Sequence, residues 1–134
     1  MERPFRILVV EDEPVIRELV RSLLSETECE VETAATGLEG LKLARGRSFD
    51  LIFLDVVLPS VDAVPLDGIA LCRLLRADAR LAPVPIYMLT AKAKRADVAA
   101  ATEAGANGYI HKPFRGVELI ELVSKLKPLS YSRG

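Results

Sequence analysis

Short apolar runs alternate along the chain with longer segments of helical periodicity. Apolar runs bounded by turn residues are typical of buried strands. They predict strands at residues 5–10, 28–33 (an alternating, edge-like strand), 50–55, 84–89 and 107–110. Apolar residues recurring about every three to four positions predict a helix after each strand, near residues 14–26, 37–45, 68–76, 94–104 and 115–127. Gly46 and Gly105 are expected to close the second and fourth helices.

This regular alternation predicts an α/β fold with three layers, in which a doubly wound, five-stranded parallel sheet lies between helices. Such folds bind ligands beyond the carboxyl ends of their strands. The polar residues at those ends are therefore the candidates for chemistry. They are Glu11 and Asp12 after the first strand, Asp55 at the third, Thr90 after the fourth and Lys112 after the fifth.

One of these residues, Asp55, interrupts the apolar run at residues 51–59. An ion buried without a partner costs several kcal/mol or more, so we expect Asp55 at the end of its strand, facing a crevice. Pro59 favours the same end because it cannot donate to a central strand. The simplest structural alternative makes Asp55 a buried salt-bridge partner of Lys112.

The composition indicates a single domain with no electrostatic attraction to nucleic acid or anionic lipid. The chain has 134 residues and a formal net charge of −1. No apolar stretch has the length of a membrane span, and residues 7–10 are too few for a signal peptide. Cys29 and Cys72 lie far apart and are expected to be reduced thiols. We therefore expect a soluble, cytoplasmic protein.

Three carboxylates that meet at one edge of a sheet repel each other and need a cation. Oxygen ligands without matching His or Cys favour Mg²⁺, which leaves coordination positions for phosphate oxygens. A lysine and a hydroxyl add donors for an anion, so the set suits a phosphoryl group. The carboxylate of Asp55 is the natural nucleophile, giving an aspartyl phosphate. No Gly-rich phosphate loop is present, so a bound nucleotide is not indicated.

Four segments resemble the motifs of the receiver domain of two-component response regulators. They lie at residues 7–14, 54–59, 88–91 and 109–114, in the order and approximate spacing of that family. The resemblance extends over about residues 6–126. It implies the flavodoxin-like receiver fold, with five parallel strands in the order 2-1-3-4-5.

The resemblance also implies a phosphoacceptor and a metal site. Asp55 would accept the phosphoryl group. Asp12 would bind Mg²⁺ directly, together with Asp55 and the backbone carbonyl of Val57. Glu11, where the family often has Asp, would reach the metal through water.

Three further residues take roles by the same resemblance. Lys112 would contact the phosphoryl group and the Asp55 carboxylate, and it precedes a proline whose peptide bond is often cis in the family. Thr90 would hydrogen-bond the phosphoryl group and move toward it on activation. Tyr109 would then turn inward and alter the surface formed by the last two helices and the last strand. Core packing is the structural alternative for Tyr109.

The implied function is that of a response regulator receiver in a two-component phosphorelay. Residues 1–128 would be the receiver domain, and residues 129–134 a short tail. The phosphoryl donor would be a phosphohistidine of a histidine kinase or a histidine phosphotransfer protein, and the output a downstream protein target. The chain would be a phosphoacceptor that catalyses its own reactions rather than an enzyme. It would act without direct DNA binding or membrane contact, as a monomer or weak dimer.

The sequence departs from the family pattern in and near the site. The loop after Pro59 is longer than usual, which we interpret as an insertion at residues 60–64. Asp62 and Asp67 are interpreted as loop and helix-cap acids. Val57 and Lys92 stand where the family tunes the lifetime of the phosphoryl group. Neither offers an acid or amide to orient water, so we expect a phosphorylated form that is not especially short-lived.

Three other functions fit parts of the pattern. A phosphatase with an aspartate nucleophile would want a second acid where Val57 stands. A flavin-binding module would want a phosphate-cradling loop after the first strand, where the acids at residues 11–13 repel phosphate. A receiver-like interaction domain without phosphorylation is disfavoured by the complete set of acids, threonine and lysine.

Overall fold

The computed structural model describes residues 4–92 and 94–127, so the predicted tail at residues 129–134 lies outside the described residues. The strands are β1 (Phe5–Val10), β2 (Cys29–Ala34), β3 (Leu51–Leu54), β4 (Ile86–Thr90) and β5 (Gly108–His111). The helices are α1 (Pro14–Leu24), α2 (Gly37–Gly46), α3 (Gly68–Ala77), α4 (Arg95–Ala104) and α5 (Gly116–Leu126), with a 3₁₀ turn at Ser25–Thr27. None of the helices in this described part is long and apolar enough to cross a bilayer.

The strands form one parallel sheet in the order β2-β1-β3-β4-β5, which confirms the predicted fold. In the central pair, Val10 of β1 is aligned with Leu54 of β3, so the residues that follow these strands emerge side by side. Thr90 of β4 is aligned with His111 of β5, which brings Lys112 next to the end of β4. The alternating strand β2 lies at the edge of the sheet, as its pattern indicated.

Successive strand residues face opposite sides of the sheet and build two hydrophobic cores. Leu8 and Val10 point to the side covered by α2, α3 and α4. Ile7 and Val9 point to the other side, where α1 and α5 pack. Both cores contain fully buried aliphatic side chains, so the sheet is covered on both faces as the continuous apolar runs predicted.

A glycine caps the carboxyl end of only one of the two helices for which this was predicted. Gly105 follows α4 with a φ of +107°, a left-handed conformation that glycine adopts without strain. Gly46 is instead the last residue of α2, and Arg47 after it is extended, with a φ of −138°. The prediction for Gly46 was wrong because the chain leaves α2 directly in an extended conformation, which any residue can adopt.

Strand β4 begins two residues later than predicted. Pro85 has no N–H to donate, so the ladder of the sheet begins only after it, although its carbonyl accepts from the N–H of Ile52 at 3.0 Å. The N–H of Ile86 donates to Oδ1 of Asn107 at 2.8 Å, which fixes the start of the strand. The carboxyl end of β4, where Thr90 lies, is close to the predicted position.

Candidate functional site

The carboxyl ends of the four strands β1, β3, β4 and β5 meet at one edge of the sheet. Backbone hydrogen bonds continue the sheet by one residue there and fix the first residues of the loops. The N–H of Asp55 donates to the carbonyl of Val10 at 3.0 Å, and the N–H of Lys112 donates to the carbonyl of Thr90 at 2.9 Å. The side chains of Asp55 and Lys112 therefore leave from backbone that is hydrogen-bonded to the neighbouring strand.

Glu11, Asp12 and Asp55 form the carboxylate cluster that was predicted from the strand ends. One oxygen of each lies within 4.8 Å of the others. Glu11 is 1% exposed and Asp55 is 5% exposed, whereas Asp12 faces solvent. All three donors are hard oxygens, and the open side leaves room for the waters that Mg²⁺ retains, so the cluster fits this ion. Val57 donates its N–H to Oδ1 of Asp55 at 3.1 Å, and its role as a carbonyl ligand stays a prediction.

Lys112 is the positive charge at the centre of these acids. Its Nζ donates to Oδ2 of Asp55 at 2.9 Å and to Oε1 of Glu11, and it lies 3.6 Å from Oε1 of Glu13. Burial disfavours the ammonium, but the hydrogen bonds to Glu11 and Asp55 outweigh this and raise the pKa of Lys112 above its ordinary value. The salt bridge considered for Asp55 is thus real, but it belongs to a larger cluster. The peptide bond between Lys112 and Pro113 is cis, as the resemblance implies.

The second buried acid, Glu11, carries the electrostatic cost of this arrangement. Burial raises the pKa of Glu11 to about 7, and the charge of Asp55 adds to the effect, although the hydrogen bond from Lys112 acts in the opposite direction. Two buried carboxylates facing one ammonium leave net negative charge in a poorly solvated place. A divalent cation beside them would restore the charge balance.

The two residues with a predicted switching role, Thr90 and Tyr109, lie next to the cluster. Thr90 is 1% exposed, and its Oγ1 accepts from the N–H of Lys92 at 3.2 Å. The hydroxyl oxygen of Tyr109 is buried and has no hydrogen-bond partner among the described residues. Burial first, and then the charges of Asp97 and Asp55, raise the pKa of Tyr109. Tyr109 packs against the core as its structural alternative predicted, but a buried phenol without a partner is poorly satisfied there.

The cluster opens to solvent through a cleft of about 310 Å³. Its lining consists of Asp12, Glu13, Asp55, Val57, Thr90, Ala91, Lys92 and Lys112. Ala91 is small and exposed, so it leaves the approach to Asp55 open. The cleft therefore brings together every predicted site residue except Glu11, which is buried, and Tyr109, which packs against the core.

The inserted residues 60–64 form a small hairpin in the loop between β3 and α3. Val61 and Val64 are paired antiparallel, and the two residues at the tip, Asp62 and Ala63, have φ angles of 50° and 62°. Left-handed residues in succession form the tight turn for which Asn-Gly is the preferred sequence. The sequence indicated an insertion but not this hairpin, because Asp-Ala does not carry the turn signal.

Two residues that the sequence did not single out also contact members of the site. Arg17 of α1 donates from Nη1 to the backbone carbonyl of Glu11 at 2.8 Å. Glu13 reaches Lys112 from the start of α1. The run of three acids held a signal for Glu13, since one acid satisfies a helix N-terminus.

A family model described as the response regulator receiver domain matches residues 7–124. Among curated relatives, the DNA-binding dual master transcriptional regulator RpaA of a Synechocystis species is 38% identical over 121 residues, covering 90% of this chain and 48% of that protein. The DNA-binding response regulator MtrA of Mycolicibacterium smegmatis is 39% identical over 118 residues, with 88% and 48% covered. The chain thus spans about half the length of the curated relatives it matches.

Solved structures agree in fold. The chemotaxis protein CheY4 of Vibrio cholerae superimposes with a TM-score of 0.84 at 30% identity, covering 93% of this chain and 100% of that one. The receiver domain of the sensor histidine kinase PA1611 of Pseudomonas aeruginosa gives a TM-score of 0.82 at 32% identity, with 92% and 98% covered. That second structure holds a magnesium ion coordinated in its active-site cleft.

Proposed function

The chain belongs to the family of response regulator receiver domains of two-component signalling, and we propose that it accepts a phosphoryl group on Asp55 from a phosphohistidine. The placement of Asp55 carries this proposal. A 5% exposed carboxylate stands at the end of the central strand, opens on a cleft and lies 2.9 Å from an ammonium. A carboxylate fixed in this way is positioned to attack a phosphorus atom that enters the cleft.

The transfer forms one bond and breaks one. A carboxylate oxygen of Asp55 bonds to phosphorus, and the bond between phosphorus and the imidazole nitrogen of the donor breaks. The electron pair of that bond stays on the nitrogen, and with a proton on its other ring nitrogen the histidine leaves neutral. The donor is a histidine kinase or a histidine phosphotransfer protein, and the protein is a phosphoacceptor rather than an enzyme with a separate substrate.

Mg²⁺ suits the carboxylate cluster because every available ligand there is a hard oxygen. Asp12, Asp55 and the carbonyl of Val57 would hold the ion directly, and Glu11 would hold it through water. When bound, the ion supplies positive charge that offsets the carboxylates and the phosphoryl oxygens. This site agrees with the excess negative charge that the buried pair of Glu11 and Asp55 creates.

Lys112 and Thr90 orient the phosphoryl group once it is on Asp55. The ammonium of Lys112 is already hydrogen-bonded to Asp55 and stays charged, so it is placed to donate to a phosphoryl oxygen. The hydroxyl of Thr90 lies in the same cleft and donates to another. Movement of Thr90 alters the packing of Tyr109, and through it the surface of α4, β5 and α5 that a downstream protein recognises.

The partners follow from this reaction. One is the phosphohistidine protein, and the other is a downstream protein that binds the switched surface. The named relatives bind DNA, but this chain matches about half of their length, so DNA binding is not transferred to it. We place the reaction in the cytoplasm, with the protein as a monomer or weak dimer.

Incubation with phosphoramidate or acetyl phosphate in Mg²⁺ tests the proposal, with the gain of a phosphoryl group followed by intact-protein mass spectrometry. We expect wild type to be phosphorylated and Asp55→Asn to lose at least about 100-fold in rate, since the nucleophile is gone. The matched control is Asp62→Asn, which makes the same change on the exposed hairpin and should react like wild type. Equal gain by wild type and Asp55→Asn would overturn the proposal.

A further inference from the structure

Glu13 is a charged residue at the mouth of the cleft that neither the fold nor the metal cluster uses. It stands at the N-cap position of α1, yet its side chain makes no capping hydrogen bond. Its carboxylate is not part of the close ligand set of Glu11, Asp12 and Asp55. Its Oε1 instead lies 3.6 Å from Nζ of Lys112, while the side chain remains 61% exposed.

This position adds negative charge where a phosphodonor must enter. The ammonium of Lys112 is already shared by Asp55 and Glu11, so it does not neutralise Glu13 as well. Among the described residues that line the cleft, Lys92 is the one other cation. A carboxylate at a cleft entrance repels an approaching anion in proportion to the charge of that anion, and salt screens the repulsion.

We propose that Glu13 determines the choice of phosphodonor, by repelling small acyl phosphates from Asp55 and so favouring a protein donor. The inference rests on the proposed function, since it concerns access to the same carboxylate. With acetyl phosphate, an oxygen of Asp55 bonds to phosphorus, the bond from phosphorus to the acyl oxygen breaks, and acetate leaves with the electron pair. A docked protein donor presents its phosphohistidine within a surface whose own charges can compensate Glu13, and a free acyl phosphate has no such compensation.

The test compares the wild-type chain with Glu13→Gln at saturating Mg²⁺. Rates of phosphorylation are measured with acetyl phosphate, a dianion, and with phosphoramidate, a monoanion at neutral pH. We expect the variant to react about three- to tenfold faster with acetyl phosphate and about twofold faster with phosphoramidate. Both gains should shrink in about 0.5 M salt.

Two matched variants separate charge from structure. Glu13→Asp keeps the charge and should keep rates close to those of wild type. Glu26→Gln removes the same charge from the 3₁₀ turn at the opposite end of α1, and should change neither rate. Thermal unfolding of all variants shows whether the fold is intact.

The outcomes distinguish this inference from the proposed function. Equal rates for wild type and Glu13→Gln with both donors would overturn the role of Glu13 and leave phosphorylation of Asp55 intact. An equal gain with both donors that salt does not change would also overturn it, because the effect would then be a structural one on Lys112. Failure of wild type to react with any donor would overturn both.

Discussion

At the amino ends of the strands, arginine side chains reach carbonyl and carboxylate oxygens within hydrogen-bond distance, whereas at the carboxyl ends three carboxylates surround one lysine. Arg6 of β1 shows the first pattern, since its Nε donates to Oε1 of Glu30 at 3.0 Å, and its backbone N–H also donates to Oδ2 of Asp50 at 2.8 Å. Arg80 donates to the carbonyls of Ala44 and Arg45 that end α2. Charged side chains at this edge therefore link neighbouring segments of the fold.

Arg76 is the most extensive case at the amino edge. From the end of α3 it donates to the carbonyls of Gly105 at 2.8 Å, Ala82 at 2.9 Å and Val84 at 2.6 Å. It also donates to Oδ1 of Asn107 at 2.6 Å. One side chain therefore ties α3 to the segments that lead into β4 and β5.

The carboxyl edge leaves its groups poorly satisfied. Glu11, Asp55 and Glu13 all approach the single ammonium of Lys112. The hydroxyl of Tyr109 is buried without a partner among the described residues. A sequence adapted only for stability would not keep such poorly satisfied groups. Their concentration at one edge therefore marks the place where function is maintained at the expense of stability.

The largest expected effect is loss of the Arg76 network. Arg76→Met should lower the free energy of unfolding by about 2–4 kcal/mol, because several carbonyls lose their donor at once. Urea unfolding measures the change. Arg73→Met, an exposed position on the same helix, should cost less than about 0.5 kcal/mol. Similar losses for the two variants would show that the amino edge is not held by this network.

At the carboxyl edge, replacing a charged side chain is expected to stabilise the protein rather than destabilise it. In the metal-free protein, Glu11→Gln should raise the free energy of unfolding by about 1–3 kcal/mol at about pH 8, because a buried charge is removed. Burial raises the pKa of Glu11 from 4.5 to about 7, so between these values the folded protein binds more protons than the unfolded chain. Its contribution to stability is therefore present below 4.5 and is lost as pH rises through about 7.

Urea unfolding of wild type and Glu11→Gln in the presence of a chelator checks this pH dependence. The difference in unfolding free energy between the two proteins should be small at about pH 5 and grow toward about pH 8. If the difference in unfolding free energy stays constant over this pH range, the buried charge of Glu11 does not destabilise the folded protein.

Mg²⁺ should offset that cost. At about ten to thirty times its dissociation constant, the ion should raise the unfolding free energy of wild type by about 1–2 kcal/mol. Asp12→Asn should abolish most of the gain because it removes a ligand. Asp62→Asn, on the hairpin outside the cluster, should keep it. A gain of equal size in Asp12→Asn would place the ion elsewhere.

The smallest effect concerns the hairpin between β3 and α3. Ala63 has a φ of 62°, which an L side chain rarely adopts, so Ala63→Gly should stabilise the protein by about 0.5–1 kcal/mol. Ala99→Gly at an exposed position of α4 should instead destabilise it by about 0.5–1 kcal/mol. Thermal or urea unfolding compares the pair, and loss of stability in both variants would show that Ala63 is not strained.

The periodicity of apolar residues was sufficient to predict the elements and the edge that carries the chemistry. Strand and helix repeats follow from local burial, and the ends of parallel strands must meet, so Glu11, Asp12 and Asp55 were placed together before any contact was known. The strand order came from the family resemblance, because alternation alone does not determine which strands are neighbours.

Contacts made by long side chains between distant segments were not predictable in the same way. Arg76 reaches acceptors as far as 31 positions away, and Glu13 reaches Lys112 from the opposite end of the chain. Such contacts depend on backbone geometry that no local pattern encodes. The hairpin at Asp62 and Ala63 was missed for another reason, since its left-handed turn uses residues that rarely adopt it.

The most direct test of the central claim is to locate the phosphoryl group after reaction with a small phosphodonor in Mg²⁺. Borohydride reduces an aspartyl phosphate to homoserine, so the modified residue can be identified by peptide mass spectrometry. We expect homoserine at position 55, in the peptide that contains Leu54 and Val56, and unmodified aspartate at position 12. Modification at any other acid, or none at position 55 in a folded and Mg²⁺-loaded protein, would contradict the account.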